Sequence, residues 1–318
     1  MKYLKSVLVL GLLSLVLGSC KDKDDPTSTY NSLSGSLEVG TIPSYVNPGD
    51  EFSFESKGVS IPDSETDKTL EITYTYKNSC DNVKDTTSTY SVVIPEMTGS
   101  YTITATAELK GYYTKTVTLN SVVVSDKSLT AIDMSGLAEY IDIRDSKTYH
   151  IVKVGNTYWM SQNLAYYEKN SDGKYVLGRP YNSVKATEDI MGGYYSWEDA
   201  QHACPSGWSI PSISDWENLG SKAGDLMCDA YFNGARLWDF YPDVNKTNRW
   251  NFFAMPFGYA TIVDDEYSFE GFNDYAFYWA DDAGKPVCKY IFASTPGVLE
   301  WRDVNGSDFA AQLRCVKK

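Results

Sequence analysis

The longest unbroken apolar run in the chain, Val7 to Leu17, contains nothing more polar than Gly11 and Ser14. As a helix these residues rise roughly 16 Å, about half a bilayer core, so the run does not span a membrane. With Lys2 and Lys5 before it, it fits the apolar region of a cleaved signal peptide over residues 1–19. Residues 20–34 lose all apolar periodicity; Asp, Ser, Thr and Lys surround Pro26, the composition of a flexible tether. From Gly35 to Ser125 the period is two: Glu51-Phe52-Ser53-Phe54, Leu70 to Tyr76, Tyr101 to Ala107 and Thr116 to Leu119 all alternate. Turn signals separate them, among them Asn47-Pro48-Gly49-Asp50, Ile61-Pro62-Asp63 and Lys110-Gly111. Short strands with one apolar face each predict an all-β sandwich over residues 35–125, followed by a linker or short helical turn at 126–140.

Beyond residue 141 the pattern changes. Two alternating stretches, ending in Val152 to Met160, turn about Gly155-Asn156 and predict a hairpin. Ser196 with Asp199 makes a capping-box pair opening a helix, and Trp197, Ala200 and Cys204 fall on one stripe. Pro205-Ser206-Gly207 stops it. A second helix is expected from Ser214, with Glu217 three residues on, burying Trp216, Leu219 and Ala223. Asn233 to Val304 is aromatic, acidic and poor in regular periodicity.

Charge narrows the function classes. Without Lys2 and Lys5 there remain 26 basic against 42 acidic residues, a net of −16, which repels phosphate backbones and anionic headgroups. Nucleic acid is not an expected partner. The two histidines, His150 and His202, read as surface residues, and no nucleophile elbow, zinc motif or phosphate loop is present. Asp264, Asp265, Glu266, Asp281 and Asp282 include carboxylates enough for a glycoside hydrolase, but in so acidic a chain they read as solvated surface. No catalytic residue, metal ligand or cofactor is expected. Cys80 stands alone in the sandwich and reads as a thiol at least partly buried.

Several motifs resemble known families. Leu17-Gly18-Ser19-Cys20 resembles the bacterial lipobox, which implies cleavage before Cys20, acylation of that residue and attachment to the membrane through it. Lys21-Asp22-Lys23-Asp24-Asp25 is similar to the acidic signal that exports Bacteroidetes lipoproteins to the outer face of the outer membrane. The 35–125 segment looks like the immunoglobulin-like or PKD-like spacers of bacterial surface proteins, on fold alone. DIRDSKTYHIVKVGNTYWMSQNL, GGYYSWEDAQHACPSGWSIPSISDWENL and the terminal LRCVKK make residues 141–318 resemble the Fibrobacter succinogenes major paralogous domain. That likeness places Trp159, Trp197, Trp208, Trp216 and Trp279 in the scaffold core.

Trp197, Ala200 and Cys204, with Ile210, Ile213 and Glu217, are also similar to the first-helix region of C-type lectin-like domains. This implies an α+β fold whose termini share a sheet, a long irregular loop region between Asn233 and Val304, and a Cys204–Cys315 disulfide. Cys228 and Cys288 are then left as a second pair. The calcium and sugar motifs of those lectins are missing: Lys285-Pro286-Val287 and Trp301-Arg302-Asp303 lack the oxygens calcium needs. The function expected is non-catalytic recognition of a glycan or an extracellular protein, with Trp238, Tyr241, Trp250, Tyr267 and Trp301 as exposed stacking residues. The alternative is a structural or fimbria-like assembly component whose sandwich edge accepts a partner strand.

Overall fold

The computed structural model describes residues 30–63, 70–238, 244–292 and 300–318. The signal peptide, Cys20 and the tether up to residue 29 lie outside these residues, as does Tyr241. The chain is mostly β-sheet and separates into two compact units. The smaller takes the described residues up to Ile42, with Glu51–Val93 and Tyr101–Asn120; the larger takes Pro43–Asp50, Ile94–Ser100 and Ser121–Lys318.

The expected alternating segments are strands, except that Leu70, Glu71 and Ile72 precede theirs, which begins at Thr73. β1 (Ser34–Val39), β3 (Glu51–Ser60) and β6 (Thr89–Val93) form one sheet in the order β1-β3-β6. β2 (Tyr45–Val46), β4 (Thr73–Asn78), β5 (Asn82–Asp85), β7 (Gly99–Glu108) and β8 (Lys115–Val123) form a second, ordered β2-β8-β7-β4-β5. The sheets meet through aromatic rings: Tyr76 of β4 stacks on Tyr90 of β6 at 4.6 Å, and Phe54 of β3 lies beyond it at 6.3 Å from Tyr90. The hydroxyl of Tyr76 is hydrogen-bonded to that of Ser56, so the buried phenol keeps a partner. Cys80 is exposed rather than buried, because it falls in the turn after β4, where its amide donates to Asn78 Oδ1 at 2.7 Å.

In the larger unit the predicted hairpin forms. β10 (Thr148–Val154) and β11 (Thr157–Met160) pair with Val154 opposite Thr157, leaving Gly155 at φ 60° in the two-residue turn. β9 (Ala138–Ile141) and β19 (Val316–Lys317) complete this sheet in the order β9-β10-β11-β19, so its last strand comes from the end of the sequence. The 126–140 segment is part of the unit rather than a bare linker: Leu129, Ile132, Met134 and Leu137 pack on its core.

Helix α1 (Trp197–Ala203) follows Ser196, whose hydroxyl accepts from the Asp199 amide. The Asp199 carboxylate does not return to Ser196; it accepts from the Gly178 amide at 3.2 Å, so only half the capping box exists. Helix α2 (Ile213–Glu217) starts one turn position earlier than expected. Ser212 is its cap, and Asp215 accepts from the Ser212 amide at 2.9 Å while its own amide returns to the Ser212 hydroxyl. Ser214 is inside the helix.

Arg314 has no solvent exposure. Its guanidinium donates to Asn163 Oδ1 and to the carbonyls of Met160, Phe252 and Phe253, and lies 4.5 Å from the Phe252 ring. Burial pulls its pKa down to about 10, with Tyr278 and Cys228 opposing, so the group keeps its proton at neutral pH. It ties the strand-end backbone to two loops.

Candidate recognition face

The region from Asn233 to Val304, expected as irregular loop, is largely sheet. β13 (Tyr259–Val263), β14 (Glu266–Glu270), β15 (Tyr275–Asp282), β16 (Lys285–Phe292), β17 (Glu300–Asp303) and β18 (Phe309–Gln312) run in the order β14-β13-β18-β15-β16-β17, and β12 (Tyr194–Tyr195) also pairs with β18. Two tight hairpins organise it. Asp264 and Asp265 both take positive φ between Val263 and Glu266; Ala283 and Gly284 do the same between Asp282 and Lys285. Asp281 accepts from the Gly284 amide at 2.6 Å, so these carboxylates are turn residues.

Strand register assigns every side chain to a face. Ala276, Tyr278, Ala280, Val287, Ile291, Ala260 and Ala310 point to one side and belong to a core with Trp159, Trp216 and Phe252. The other side carries Tyr275, Phe277 and Trp279 on β15, Tyr290 and Phe292 on β16, Tyr259 on β13 and Phe309 on β18. Here rings stack across strands: Tyr275 on Phe292 at 4.1 Å and 1°, Phe277 on Tyr290 at 4.8 Å and 8°, Tyr259 on Phe309 at 5.2 Å. One end of this face is covered by α1, whose Ala200 and Ala203 pack with Trp279 and Ala311. At the other end Phe277 and Phe309 make a buried floor, while Tyr259, Tyr275, Tyr290 and Phe292 remain half-exposed.

Local structure fixes these rings. Gly271 sits at φ +71°, and a Cβ there would meet Tyr275 Cδ2 at 2.6 Å and Tyr259 Cε1 at 3.3 Å. Its carbonyl accepts from the amides of Asp274 and Tyr275, which sets the entry to β15. Glu270 on β14 accepts from the Tyr259 hydroxyl at 3.2 Å and from Thr261 at 3.4 Å. Arg302 on β17 reaches back over the floor, its guanidinium carbon 5.7 Å from both the Phe277 and Phe309 centroids. The result is a cross-strand cluster of aromatic rings bordered by an acceptor and a cation.

The residues expected to bind are not gathered here. Trp238 has no exposure and donates from Nε1 to the Ala254 carbonyl at 3.0 Å, which makes it a core residue and removes it from any binding surface. Trp250 is part-buried, with Nε1 donating to Leu219 O. Tyr267 and Trp301 lie on the face opposite to the aromatic surface, Tyr267 on edge strand β14 and Trp301 on edge strand β17. Five strand spacings separate them, roughly 24 Å. The signal that could have found the aromatic face is the period-two run Tyr275-x-Phe277-x-Trp279, with Tyr290-x-Phe292 after a Gly turn.

Cys204 and Cys315 are joined, with Cα atoms 5.8 Å apart, tying the end of α1 to the residue before β19. Cys228 and Cys288 are not. Both are buried thiols, Cys228 in the core on one side of the sheet and Cys288 on the other, so the sheet itself stands between them. Burial pushes the Cys288 thiol well up, and that of Cys228 to about 11.

These features define a β-rich domain clamped by a disulfide from the end of α1 to the last strand, with one sheet face covered by α1 at one end only. Residues 152–317 match the model of the Fibrobacter succinogenes major domain, and the chain belongs to that family. No curated protein matches the chain significantly.

Proposed function

We propose that this protein is a lipoprotein held in the outer membrane through Cys20 and exposed at the cell surface, whose C-terminal domain is a non-catalytic glycan-recognition module. In this reading the two-sheet unit is an immunoglobulin-like spacer. The larger unit is C-type lectin-like, supported by the disulfide from its helix to its last strand and by the pairing of that strand with the first hairpin. The observation that carries recognition is the open end of the aromatic face: four half-exposed rings, held in place by cross-strand stacking and by Gly271. Preorganisation lowers the ordering cost of binding.

The full chain probed on an array of glycans and matrix proteins tests this. Tyr275→Ala and Tyr290→Ala should each weaken the captured ligand by roughly thirtyfold, as for a hot-spot aromatic of about 2 kcal/mol, with melting little changed. An empty array, or variants that bind as the parent does, overturns the proposal. Cys20→Ala should move the protein out of the membrane fraction. The assembly reading draws on β6, an edge strand on which Val93 is 57% exposed; concentration-dependent oligomers in sedimentation would favour it.

A further inference from the structure

We infer that the Arg302 end of the aromatic face takes an anionic sugar, one bearing a carboxylate or a sulfate, with the guanidinium holding the anion and the half-exposed rings stacking on the sugar. This rests on the recognition reading above and adds the chemical class of the ligand.

Arg302 is exposed, yet its guanidinium is placed over two buried rings rather than left to trail in water. Aromatic faces attract and orient a guanidinium without neutralising it. Arg144 and Arg236 are each bound by an aspartate, whereas the contacts described for Arg302 are with rings. In a chain of net charge −14, a cation held over aromatic rings is suited to a charge that arrives with the ligand. Its fork geometry matches a carboxylate or a sulfate bidentately.

The surrounding groups supply the rest of the site. The charge of Arg302 is felt at the hydroxyls of both Tyr259 and Tyr275, where it opposes burial and the neighbouring carboxylates. Burial first, then Glu270, pushes Tyr259 up to about 12; burial and Asp274 raise Tyr275. Both phenols therefore stay protonated at neutral pH; the Tyr259 proton is given to Glu270, and the Tyr275 hydroxyl is the donor offered to a ligand. Glu270 on the far border accepts hydrogen bonds and repels anions, so an anionic group is directed to the Arg302 side and hydroxyls to the Glu270 side.

The test titrates the full chain with three oligosaccharides of matched length: oligogalacturonate, a sulfated dextran and plain dextran. At least one anionic probe should bind about tenfold or more tighter than dextran, the scale of one charge-assisted contact. That preference should shrink with added salt. Arg302→Gln should erase the gap, Arg302→Lys should retain part of it, and Tyr275→Ala should weaken all three probes together. Preference for one anionic probe over the other assigns the anion. Equal binding of dextran and the anionic probes, a gap that survives Arg302→Gln, or no binding of any probe overturns the inference. If the glycan array still captures a neutral ligand through Tyr275 and Tyr290, the recognition reading survives that result on its own.

Discussion

One strand, β15, contributes to two unlike faces of the same sheet. Ala276, Tyr278 and Ala280 are buried on one of them, where Tyr278 packs edge-on to Phe252 at 5.3 Å and beside Trp216 at 5.6 Å. Tyr275, Phe277 and Trp279 go to the other, which changes along its length from covered to open. At the Trp279 end, the indole donates to the Tyr195 carbonyl and Trp197 packs on it at 5.3 Å. At the Tyr275 end, rings of the same type stack on one another across the strands. Burial decides the difference. The covered face alternates small and large residues so that layers interlock, whereas at the open end the large rings stay only half-buried beside Phe277 and Phe309.

The largest effect should come from unclamping the covered end. Cys204 and Cys315 close a loop with a sequence separation of 111, for which chain entropy gives about 4–5 kcal/mol before strain. Cys315→Ala should lower the melting temperature steeply and raise the accessibility of Trp279, read as a red-shifted, quenchable fluorescence. A variant that melts as the parent does would show that α1 is held over the sheet by packing alone. Cys288→Ala, by contrast, removes only a buried thiol.

How much of this contrast could be read from the sequence depends on polar spacing. The sandwich strands were legible because Glu51, Ser53 and Glu55 mark the solvent side of β3 between Phe52, Phe54 and Ser56. The 148–160 hairpin was legible for the same reason, with Gly155-Asn156 between its strands. β15 and β16 were not. Both faces of β15 are apolar, so Tyr-Ala-Phe-Tyr-Trp-Ala has no polar beat, and period-two aromatics hide in a continuous run. The turn that joins them, Ala283-Gly284, was hidden by the acidic pair before it. Trp238 failed as a binding residue for a related cause: local composition around it is polar, while its burial comes from Ala254, distant in sequence. The Cys204–Cys315 bond was legible through family likeness. Elimination then misled for Cys228 and Cys288, because it ignores which side of a sheet each thiol faces.

A smaller effect should follow from the cap of α2, beneath the buried face. Burial alone would raise the Asp215 carboxyl, but the Ser212 hydroxyl and amide and the Lys318 ammonium at 3.2 Å outweigh it and hold the group below the ordinary carboxylate range. A depressed folded-state pKa stabilises above the unfolded value, and that contribution disappears as pH falls through the folded one. Asp215→Asn should therefore cost about 1 kcal/mol at neutral pH, on the scale of a lost cap. The gap in melting temperature from the parent should close below about pH 4. A gap that persists unchanged at pH 2 would mean the asparagine disturbs packing rather than charge.

The smallest effect is expected at Trp301, and it separates the two faces most sharply. Trp301 is 37% exposed and lies on the buried-face side of edge strand β17, opposite in direction to Arg302. Its ring covers the Lys289 ammonium at 4.2 Å. Burial pulls the Lys289 pKa down, and Glu217 restores part of it, so the ring both attracts the cation and helps to desolvate it. Trp301→Ala removes a cation–π contact of about 0.5–1 kcal/mol and at the same time lets water reach the ammonium, which offsets the loss. Stability should change by less than about 1 kcal/mol, against about 3–5 kcal/mol for Trp238→Ala in the core. Ligand capture by Trp301→Ala should equal that of the parent, because the residue faces away from Tyr275, Tyr290 and Arg302. Lost capture with unchanged melting in this one variant would move the binding surface to the other side of the sheet.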